Sequence, residues 1–301
     1  AREHRRLRRS GVFVCRSHGL DDHMERVLAP WRTRLGVRSR RGLKKLAGGA
    51  LDTLLHRHDR LAYREADGIL VSSSADERYL RDVMHVPAAR IGRVAQAPAD
   101  AFVGTPAPSM DQSRIERILH VGGFAYWKGV HAVAEAANRL LAGTSRGRLT
   151  WVCRQEEQDH VRELLAPPVR ERVDLVAWVP QSELRAIYDR HGIFLAPSLF
   201  EGFGKVFLEA MARGLCVVGT GAGGMPDVIR DGIDGFLVDY NDANGIVACI
   251  ERCWADPGLA RSVSVAAAAR AREYSWDRAG REIVAFYERL LVARRKEEND
   301  R

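Results

Sequence analysis

The stretch PSLFEGFGKVFLEAMA, residues 197–212, determines how the rest of this chain is interpreted. It follows a run of four apolar residues that predicts a short buried strand. Gly202 and Gly204 predict a tight turn, and the apolar spacing from Lys205 predicts a helix that stops at Gly214. Strand, glycine turn and helix in this order form anion sites in α/β proteins, because the first helical turn offers unpaired N–H groups and a partial positive charge.

Three charged side chains lie on or beside this predicted turn. Lys205 adds a full positive charge next to the anion site, and Glu201 precedes the turn. Glu209 lies about one and a half turns inside the predicted helix. Carboxylates accept hydrogen bonds in pairs, which suits the vicinal hydroxyls of sugars and riboses. The segment therefore predicts a phosphate site between two polyol contacts, as a nucleotide sugar requires. The structural alternative is a solvated Glu201 and a Glu209 on the helix surface.

These residues resemble the donor motif of glycosyltransferase family 4, a Glu followed by seven residues and a second Glu. The likeness continues in three later segments: GLCVV at 214–218, GGMPD at 223–227 and DGIDGFLV at 231–238. The resemblance implies that Glu201 orients the hydroxyls of the donor sugar and that Glu209 holds the ribose. It also implies that four residues of the turn bind the substrate: Gly202, Phe203, Gly204 and Lys205.

A second strand, glycine turn and helix begins at residue 115. Residues 115–121 predict the strand, Gly122 and Gly123 the turn, and the residues from Val130 the helix. Lys128 lies at this turn and is predicted to face the same sheet edge as Glu201, where it would contact the diphosphate. A solvated loop lysine is the alternative.

The resemblance is incomplete at this second turn. Family members usually carry an arginine just after the first glycine or just before the lysine, and this chain has Gly123 and Trp127 there. They also usually have a glycine pair after the next strand, where this chain has Arg154 and Gln155. We therefore treat Arg154 as a candidate for the missing positive charge at the diphosphate.

Two further contacts are implied by the resemblance. His18 follows a predicted strand at 12–15, within the string RSHGL that is similar to a loop of family 4 enzymes in which the His lies near donor sugar and acceptor. In similar enzymes the nucleobase rests against the position held here by Trp178 and Val179. A structural role for His18 and core packing of Trp178 are the alternatives.

The fold predicted is α/β. Strands alternate with helices, which predicts parallel sheets covered on both faces. The arrangement resembles GT-B, with two Rossmann-like doubly wound domains. We predict a partial acceptor-side domain at 1–108, a nucleotide-sugar-binding domain at 109–274, and a helix at 275–301 that returns to the first domain. The segment 97–108 is interpreted as the linker, and the first domain is expected to be incomplete.

Composition favours a globular protein in a reducing compartment. Hydrophobic residues make up 46% and charged residues 29% of the 301 residues. No run approaches the roughly 20 apolar residues of a membrane span, and the start carries no apolar signal core. The five cysteines are scattered, without close pairs of the kind that bind metals. These features predict a cytoplasmic location.

Positive charge is concentrated near the start of the chain. The first 60 residues hold sixteen Lys and Arg against six Asp and Glu, and the densest run is Arg32–Lys45. A solvated helix face is one interpretation, and peripheral docking on an anionic membrane surface is the other. Nucleic acid is disfavoured as a partner, since no aromatic residues interleave with the basic ones.

The sequence thus predicts a retaining glycosyltransferase, of the hexosyl or a related class, that transfers a sugar from a nucleotide-diphosphate sugar to a hydroxyl of a glycan, lipid or small molecule. The predicted catalytic residues are Glu201, Lys128 and His18. No metal or other cofactor is expected, because no Asp-x-Asp follows an apolar strand and two lysines can replace a divalent ion. A nucleotide-sugar-binding relative without turnover is the alternative. A sugar-nucleotide epimerase is less well supported, since its catalytic carboxylates and histidines are not evident.

Overall fold

The computed structural model describes residues 11–37, 58–143 and 146–299. The chain divides into two compact units. The first unit comprises Ala1–Gln96 together with Trp276–Arg301, and the second comprises Ala97–Ser275. Both are built on parallel sheets, which confirms the predicted α/β class.

The first unit contains a three-stranded parallel sheet in the order β1-β2-β3. Its helix α14 packs closely on this sheet. A Cβ atom on Gly68 would lie 2.4 Å from Leu290, and a Cβ atom on Gly92 would lie 2.7 Å from Phe286. Glycine is therefore required in the strands where the helix crosses. The elements are β1 Val14–Arg16, α1 Asp21–Arg34, α2 at 58–65, β2 Gly68–Val71, α3 Ser74–Arg78 with a π turn Tyr79–Val83, a 3-10 turn Ala88–Arg90, β3 Ile91–Arg93 and α14 Trp276–Asn299.

The second unit contains a six-stranded parallel sheet in the order β6-β5-β4-β7-β8-β9. The strands are β4 Arg117–Val121, β5 Arg148–Cys153, β6 Val173–Ala177, β7 Ile193–Ala196, β8 Cys216–Thr220 and β9 Phe236–Val238. Every residue of β7 and β8 is buried, as expected for strands covered on both faces.

The helices of the second unit cover both faces of this sheet. They are α4 Asp100–Val103, α5 Gln112–Ile115, α6 Val130–Ala142, α7 Gln158–Leu164, α8 Pro167–Arg170, α9 Gln181–Asp189, α10 Lys205–Ala212, α11 Met225–Val228, α12 Ala243–Ala255 and α13 Pro257–Ala271, with 3-10 turns at Tyr126–Lys128 and Gln155–Glu157. In chain order, β5 and β6 are added on one side of β4, and β7, β8 and β9 are added on its other side, so the direction in which strands are added reverses between β4 and β7. The reversal between β4 and β7 is the position at which doubly wound sheets bind ligands.

Residues 97–108 differ from the predicted linker, because they belong to the second unit. They include α4, whose Phe102 is fully buried. The buried Arg213 donates hydrogen bonds to three carbonyl oxygens of this segment and pairs with Asp189 at 2.6 Å; the carbonyls are those of Phe102, Thr105 and Pro106. A buried guanidinium thus satisfies backbone groups that a segment rich in proline leaves without regular partners. The division of the chain therefore follows Gln96, not residue 108.

The basic run Arg32–Lys45 lies outside the described residues from position 38 onward. Within the described part, Arg32 pairs with Glu25 at 2.5 Å. Docking of this run on a membrane surface stays a prediction. Of the helices described, none combines the length and the apolar character that a membrane crossing needs.

Candidate functional site

The two glycine turns predicted from the sequence lie at the reversal of the second sheet. One follows β4 and the other follows β7, and these two strands pair directly, with Leu119 opposite Phe194. Because both strands run parallel, their carboxyl ends open at the same edge. The fold therefore brings together two segments that are about 75 residues apart in the sequence.

Lys128 and Glu201, two of the predicted catalytic residues, are in direct contact at this edge. The Nζ atom of Lys128 lies 2.5 Å from Oε1 of Glu201. The Oγ atom of Ser198 donates a second hydrogen bond to the same oxygen at 3.1 Å. The side chain of Glu201 is 12% exposed and that of Lys128 31%. The pair thus presents, half-buried and side by side, a cation that can bind phosphate and a carboxylate that can accept hydroxyl hydrogen bonds.

Close backbone packing fixes the position of Lys128. Gly129 has φ +72° and a Cβ atom there would lie 2.0 Å from the carbonyl oxygen of Pro197. The backbone N–H of Leu199 donates to the carbonyl of Trp127 at 2.7 Å. The turn after β4 is therefore held directly against the segment that leads to Glu201.

The glycine-rich stretch 221–224 packs against the Glu201 turn. A Cβ atom on Gly223 would lie 2.4 Å from the carbonyl oxygen of Glu201. The N–H of Gly224 donates to the carbonyl of Phe203 at 3.2 Å, and a Cβ on Gly224 would collide with the Phe203 ring. These glycines therefore allow the stretch to lie directly against residues 201–203.

The predicted substrate-binding turn itself has a mixed character. Gly202 is buried, and the side chain of Phe203 is 1% exposed and packs against Phe207 and Tyr274. Phe203 therefore offers a ligand its backbone only. Gly204 has φ +94° and caps α10, and Lys205 at the start of that helix is exposed to solvent.

Glu209 is buried within α10, which rules out the surface position considered in the sequence analysis. It is 5% exposed. Burial raises the pKa of Glu209 to about 7, while the charge of Lys205 and the backbone N–H of Ala99 act in the opposite direction. Glu209 does not line the pocket that contains Lys128 and Glu201. The two motif carboxylates thus occupy separate environments, one paired with a lysine and one largely desolvated.

The strand ends after β5 and β6 carry the other predicted donor contacts. Trp178 is 57% exposed, so it does not pack in the core, and the guanidinium of Arg154 lies 5.2 Å from the centre of its ring. Val179 follows Trp178 and is half-buried. Arg154 therefore stacks on an exposed aromatic surface. The structure gives no contact between its guanidinium and the glycine turn after β4.

An acidic residue that sequence reasoning missed lies beside the turn after β4. The carboxylate of Glu157 accepts a hydrogen bond from the backbone N–H of Arg154 at 3.1 Å. A Cβ atom on Gly123 would lie 3.5 Å from the same carboxylate. The sequence pattern that could have identified Glu157 is its position three residues after Arg154, which is typical of a residue that caps a helical turn. The carboxylate brings negative charge close to the predicted diphosphate turn.

The third predicted catalytic residue, His18, lies in the first unit. It is exposed and follows β1, and its Nδ1 atom lies 2.9 Å from Nε2 of Gln96. Gln96 in turn lies 3.4 Å from Oγ of Ser72. Ser72 follows β2 and Gln96 follows β3, so the three strand ends form one polar cluster. The structure thus places His18 at the carboxyl edge of its own sheet.

A second histidine, His120, lines the same pocket as Lys128, Ser198 and Glu201. It is 3% exposed, and its Nδ1 atom lies 2.8 Å from the carbonyl oxygen of Leu195. Its Nε2 atom is buried and has no hydrogen-bond partner in the described structure. No role for His120 was predicted from the sequence, because a single His in an apolar strand indicates only burial.

No group of three or more His, Cys, Asp or Glu in residues 11–37, 58–143 and 146–299 is arranged to hold a metal ion. Independence of a metal stays a prediction.

Residues 115–256 match the family described as glycosyl transferases group 1. The chain is 28% identical to alpha-maltose-1-phosphate synthase of Mycolicibacterium smegmatis over 91% of this chain and 73% of that protein. It is 32% identical to alpha-maltose-1-phosphate synthase of Mycobacterium tuberculosis over 58% of this chain and 48% of that protein. The chain thus spans from about half to about three quarters of the length of these relatives.

The fold is similar to that of HepE from Anabaena in complex with UDP and glucose. The TM-score is 0.69 over 94% of this chain and 72% of HepE, at 18% sequence identity. This likeness concerns the fold, and it extends over both units of the chain.

Proposed function

Because this chain belongs to the family of group 1 glycosyl transferases, we propose that it transfers a sugar from a nucleotide-diphosphate sugar to a hydroxyl acceptor with retention of anomeric configuration. The observation that carries the proposal is the contact of 2.5 Å between Lys128 and Glu201 at the reversal of the second sheet. The pair supplies a cation next to a carboxylate that can accept hydrogen bonds from sugar hydroxyls, at the position where such sheets bind ligands.

The charges suit the bond that breaks. When the anomeric bond breaks, negative charge develops on the diphosphate and positive charge on the sugar ring. Lys128 and the N-terminus of α10 stabilise the leaving diphosphate, because their positions are fixed before the reaction. The exposed Lys205 adds a positive charge at the start of that helix. Glu201 accepts hydrogen bonds from the sugar hydroxyls, and Glu209 accepts those of the ribose.

Retention follows from attack on the face that the diphosphate leaves. The acceptor oxygen forms the new bond to the anomeric carbon while the bond to the phosphate oxygen breaks. The proton of the acceptor hydroxyl passes to the departing phosphate oxygen. Glu201 is already engaged by Lys128 and Ser198 in the free protein, which suits an orienting role better than that of a covalent nucleophile. A catalytic role for His18 stays a prediction from the sequence.

The nucleobase rests at the surface formed by Trp178 and Val179, with Arg154 beside it. The exposed Trp178 ring supports this position, because an aromatic face and a guanidinium both stack on bases. Binding of UDP together with glucose by HepE, which shares the fold, supports a nucleotide-sugar donor. In this proposal the two lysines replace a divalent metal ion at the diphosphate.

The proposal is tested with Glu201→Gln and Lys128→Met. Both variants keep approximate side-chain volume and remove one charge of the pair. We expect each to lower kcat at least about 100-fold, since single preorganised electrostatic contacts contribute this much. Glu171→Gln, a change at an exposed Glu outside the site, should leave activity unchanged.

The measurement has two stages. Thermal shift with a panel of nucleotide sugars identifies the donor, because a ligand of the folded state raises its melting temperature. Release of the nucleoside diphosphate is then followed with hydroxyl acceptors, with and without EDTA, and EDTA should have no effect. Full activity of Glu201→Gln would refute the assigned role. Donor binding without turnover on any acceptor would instead favour the binding-only alternative.

A further inference from the structure

His120 is held in one orientation by two contacts. Its Nδ1 atom lies 2.8 Å from the carbonyl oxygen of Leu195. A carbonyl only accepts hydrogen bonds, so Nδ1 carries a proton and donates it. The imidazole also packs edge-on against Trp151, with ring centres 4.9 Å apart and an interplanar angle of 72°. The ring therefore has little freedom to turn, and Nε2 faces away from Leu195.

The Nε2 atom lies beneath the glycine turn that follows β4. A Cβ atom on Gly122 would lie 3.5 Å from Nε2, so the turn is in contact range of this buried atom and places no side chain over it. The pocket that His120 lines also contains Lys128, Ser198 and Glu201. Its interior is narrow, with room for a group about the size of one water molecule or one hydroxyl.

The chemistry of Nε2 selects the group that can occupy this space. Burial lowers the pKa of His120 to about 4, and the positive charge of Lys128 acts in the same direction. The ring is therefore neutral near pH 7, and Nε2 is an acceptor without a donor. A buried acceptor left without a partner is unfavourable. An ionised phosphate has no proton to offer it, whereas a hydroxyl group has one.

We propose that Nε2 of His120 accepts a hydrogen bond from one hydroxyl group of the transferred sugar. The inference rests on the proposed function and extends it to donor selection. His120, Glu201 and Lys128 together present two acceptors and one donor, a set that matches a polyol. Because the space is narrow, the sugar position that enters it carries a plain hydroxyl and not an N-acetyl group.

Two variants distinguish the role of Nε2, which faces the pocket, from that of Nδ1, which bonds to Leu195. In His120→Asn the amide nitrogen can still donate to Leu195, and no atom remains at the place of Nε2. His120→Gln can bring an amide oxygen to that place. Circular dichroism and thermal melting establish that both variants are folded. Binding is measured by calorimetry with UDP-glucose and with UDP, or with GDP-mannose and GDP if the wild type prefers that pair.

We expect His120→Asn to raise the Kd for the nucleotide sugar about tenfold, as for loss of one good hydrogen bond, and to leave the Kd for the sugar-free nucleotide within about twofold. His120→Gln should stay within about threefold of the wild type for both ligands. Deoxy analogues of the sugar identify the contact, because the one that lacks the contacted hydroxyl should bind wild type and His120→Asn equally.

Three outcomes would contradict these expectations. Equal weakening of nucleotide and nucleotide sugar by His120→Asn would assign His120 to the fold or the diphosphate. Unchanged affinity for both would mean that Nε2 meets only a structural water. Either result overturns this inference while the proposed function stands. A wild type that binds no nucleotide sugar of the panel would overturn the proposed function as well.

Discussion

At the scale of single residues, Glu209 carries the clearest pH-dependent consequence. Its carboxyl group is buried in α10, and burial raises its pKa to about 7. The protein at neutral pH is therefore a mixture of protonated and ionised forms at this position. The ionised form accepts hydroxyl hydrogen bonds on both of its oxygens, the role proposed for it at the ribose, whereas in the protonated form one oxygen carries a proton and donates.

We expect donor affinity to rise with pH through neutrality. The pKa is raised, so the carboxylate is a minority form at pH 6 and the majority form at pH 8, and the fraction ionised grows about tenfold over this range. Calorimetry with a nucleotide sugar checks this, since the phosphodiester groups of its diphosphate do not titrate near pH 7. Glu209→Gln should bind more weakly and independently of pH. A flat wild-type profile would show that Glu209 does not contact the donor.

Residue types and spacing predicted some site residues and not others. Glu201 and Lys128 were predicted because each lies at a glycine turn that follows a strand, Glu201 just before its turn and Lys128 after its own, and the structure places them in contact. That they pair with each other was not predicted, since pairing depends on which strands are neighbours. His120 and Glu157 were missed for a related reason. In the sequence, His120 is a single polar residue in an apolar strand and Glu157 belongs to a helical turn, and neither pattern indicates which distant residues lie beside it.

At the scale of elements, the strand–turn–helix units show why some boundaries were predictable. The helix from Lys205 and the strand before Pro197 were predicted from apolar spacing and glycines, and the structure has them at Lys205–Ala212 and Ile193–Ala196. The strand predicted at 115–121 begins at Arg117, because Asp111 caps the short helix α5 ahead of it. A local cap of four residues leaves little trace in hydrophobic periodicity.

Gly129 is the position in these elements where a single methyl group should matter most. Gly129→Ala places a Cβ at a left-handed φ and against the Pro197 carbonyl. We expect a loss of about 2–4 kcal/mol in the free energy of unfolding, together with weaker donor binding as Lys128 moves from Glu201. Urea denaturation and calorimetry measure both effects.

Gly143, at the end of α6, is the matched control. Its φ is −102°, and a Cβ atom there meets nothing within 4 Å. Gly143→Ala should change stability by less than about 0.5 kcal/mol and leave binding unaltered. Equal effects of the two substitutions would mean that the contact between the two turns is not what holds Lys128.

At the scale of the whole molecule, the doubly wound α/β class and the GT-B likeness were predictable, because strands and helices alternate with clear periodicity. The division of the chain was less so. Arg213 binds carbonyl oxygens more than 100 residues earlier in the chain, as in its bond of 2.7 Å to Thr105. A proline-rich segment looks like a linker until such distant partners are known, and no local pattern identifies them.

The division leads to a prediction about fragments. We expect residues 97–275 to fold cooperatively by themselves, because they form one compact unit. A fragment with the sequence-based boundaries 109–274 should be less stable by about 5 kcal/mol, or roughly 10–20 °C in melting temperature. It lacks Phe102, which is fully buried, and leaves Arg213 without its carbonyl partners.

Thermal melting of the two fragments by circular dichroism makes this comparison. Arg213→Lys in the longer fragment is the control, since it removes the planar guanidinium while the rest of the segment remains. It should lower the melting temperature by less than the truncation does. Equal melting temperatures for the two fragments would show that residues 97–108 are dispensable for the second unit.

The contact between Lys128 and Glu201 affects which molecules can bind at this site. An inorganic anion that draws the ammonium of Lys128 away leaves the half-buried carboxylate of Glu201 without its partner. A free monosaccharide that draws the carboxylate away leaves the ammonium without its partner. Only a molecule bearing both an anion and a polyol at the right separation compensates both partners at once. Under the proposed function, the ion pair therefore disfavours binding of free phosphate or of a free sugar and favours a molecule in which the two are joined.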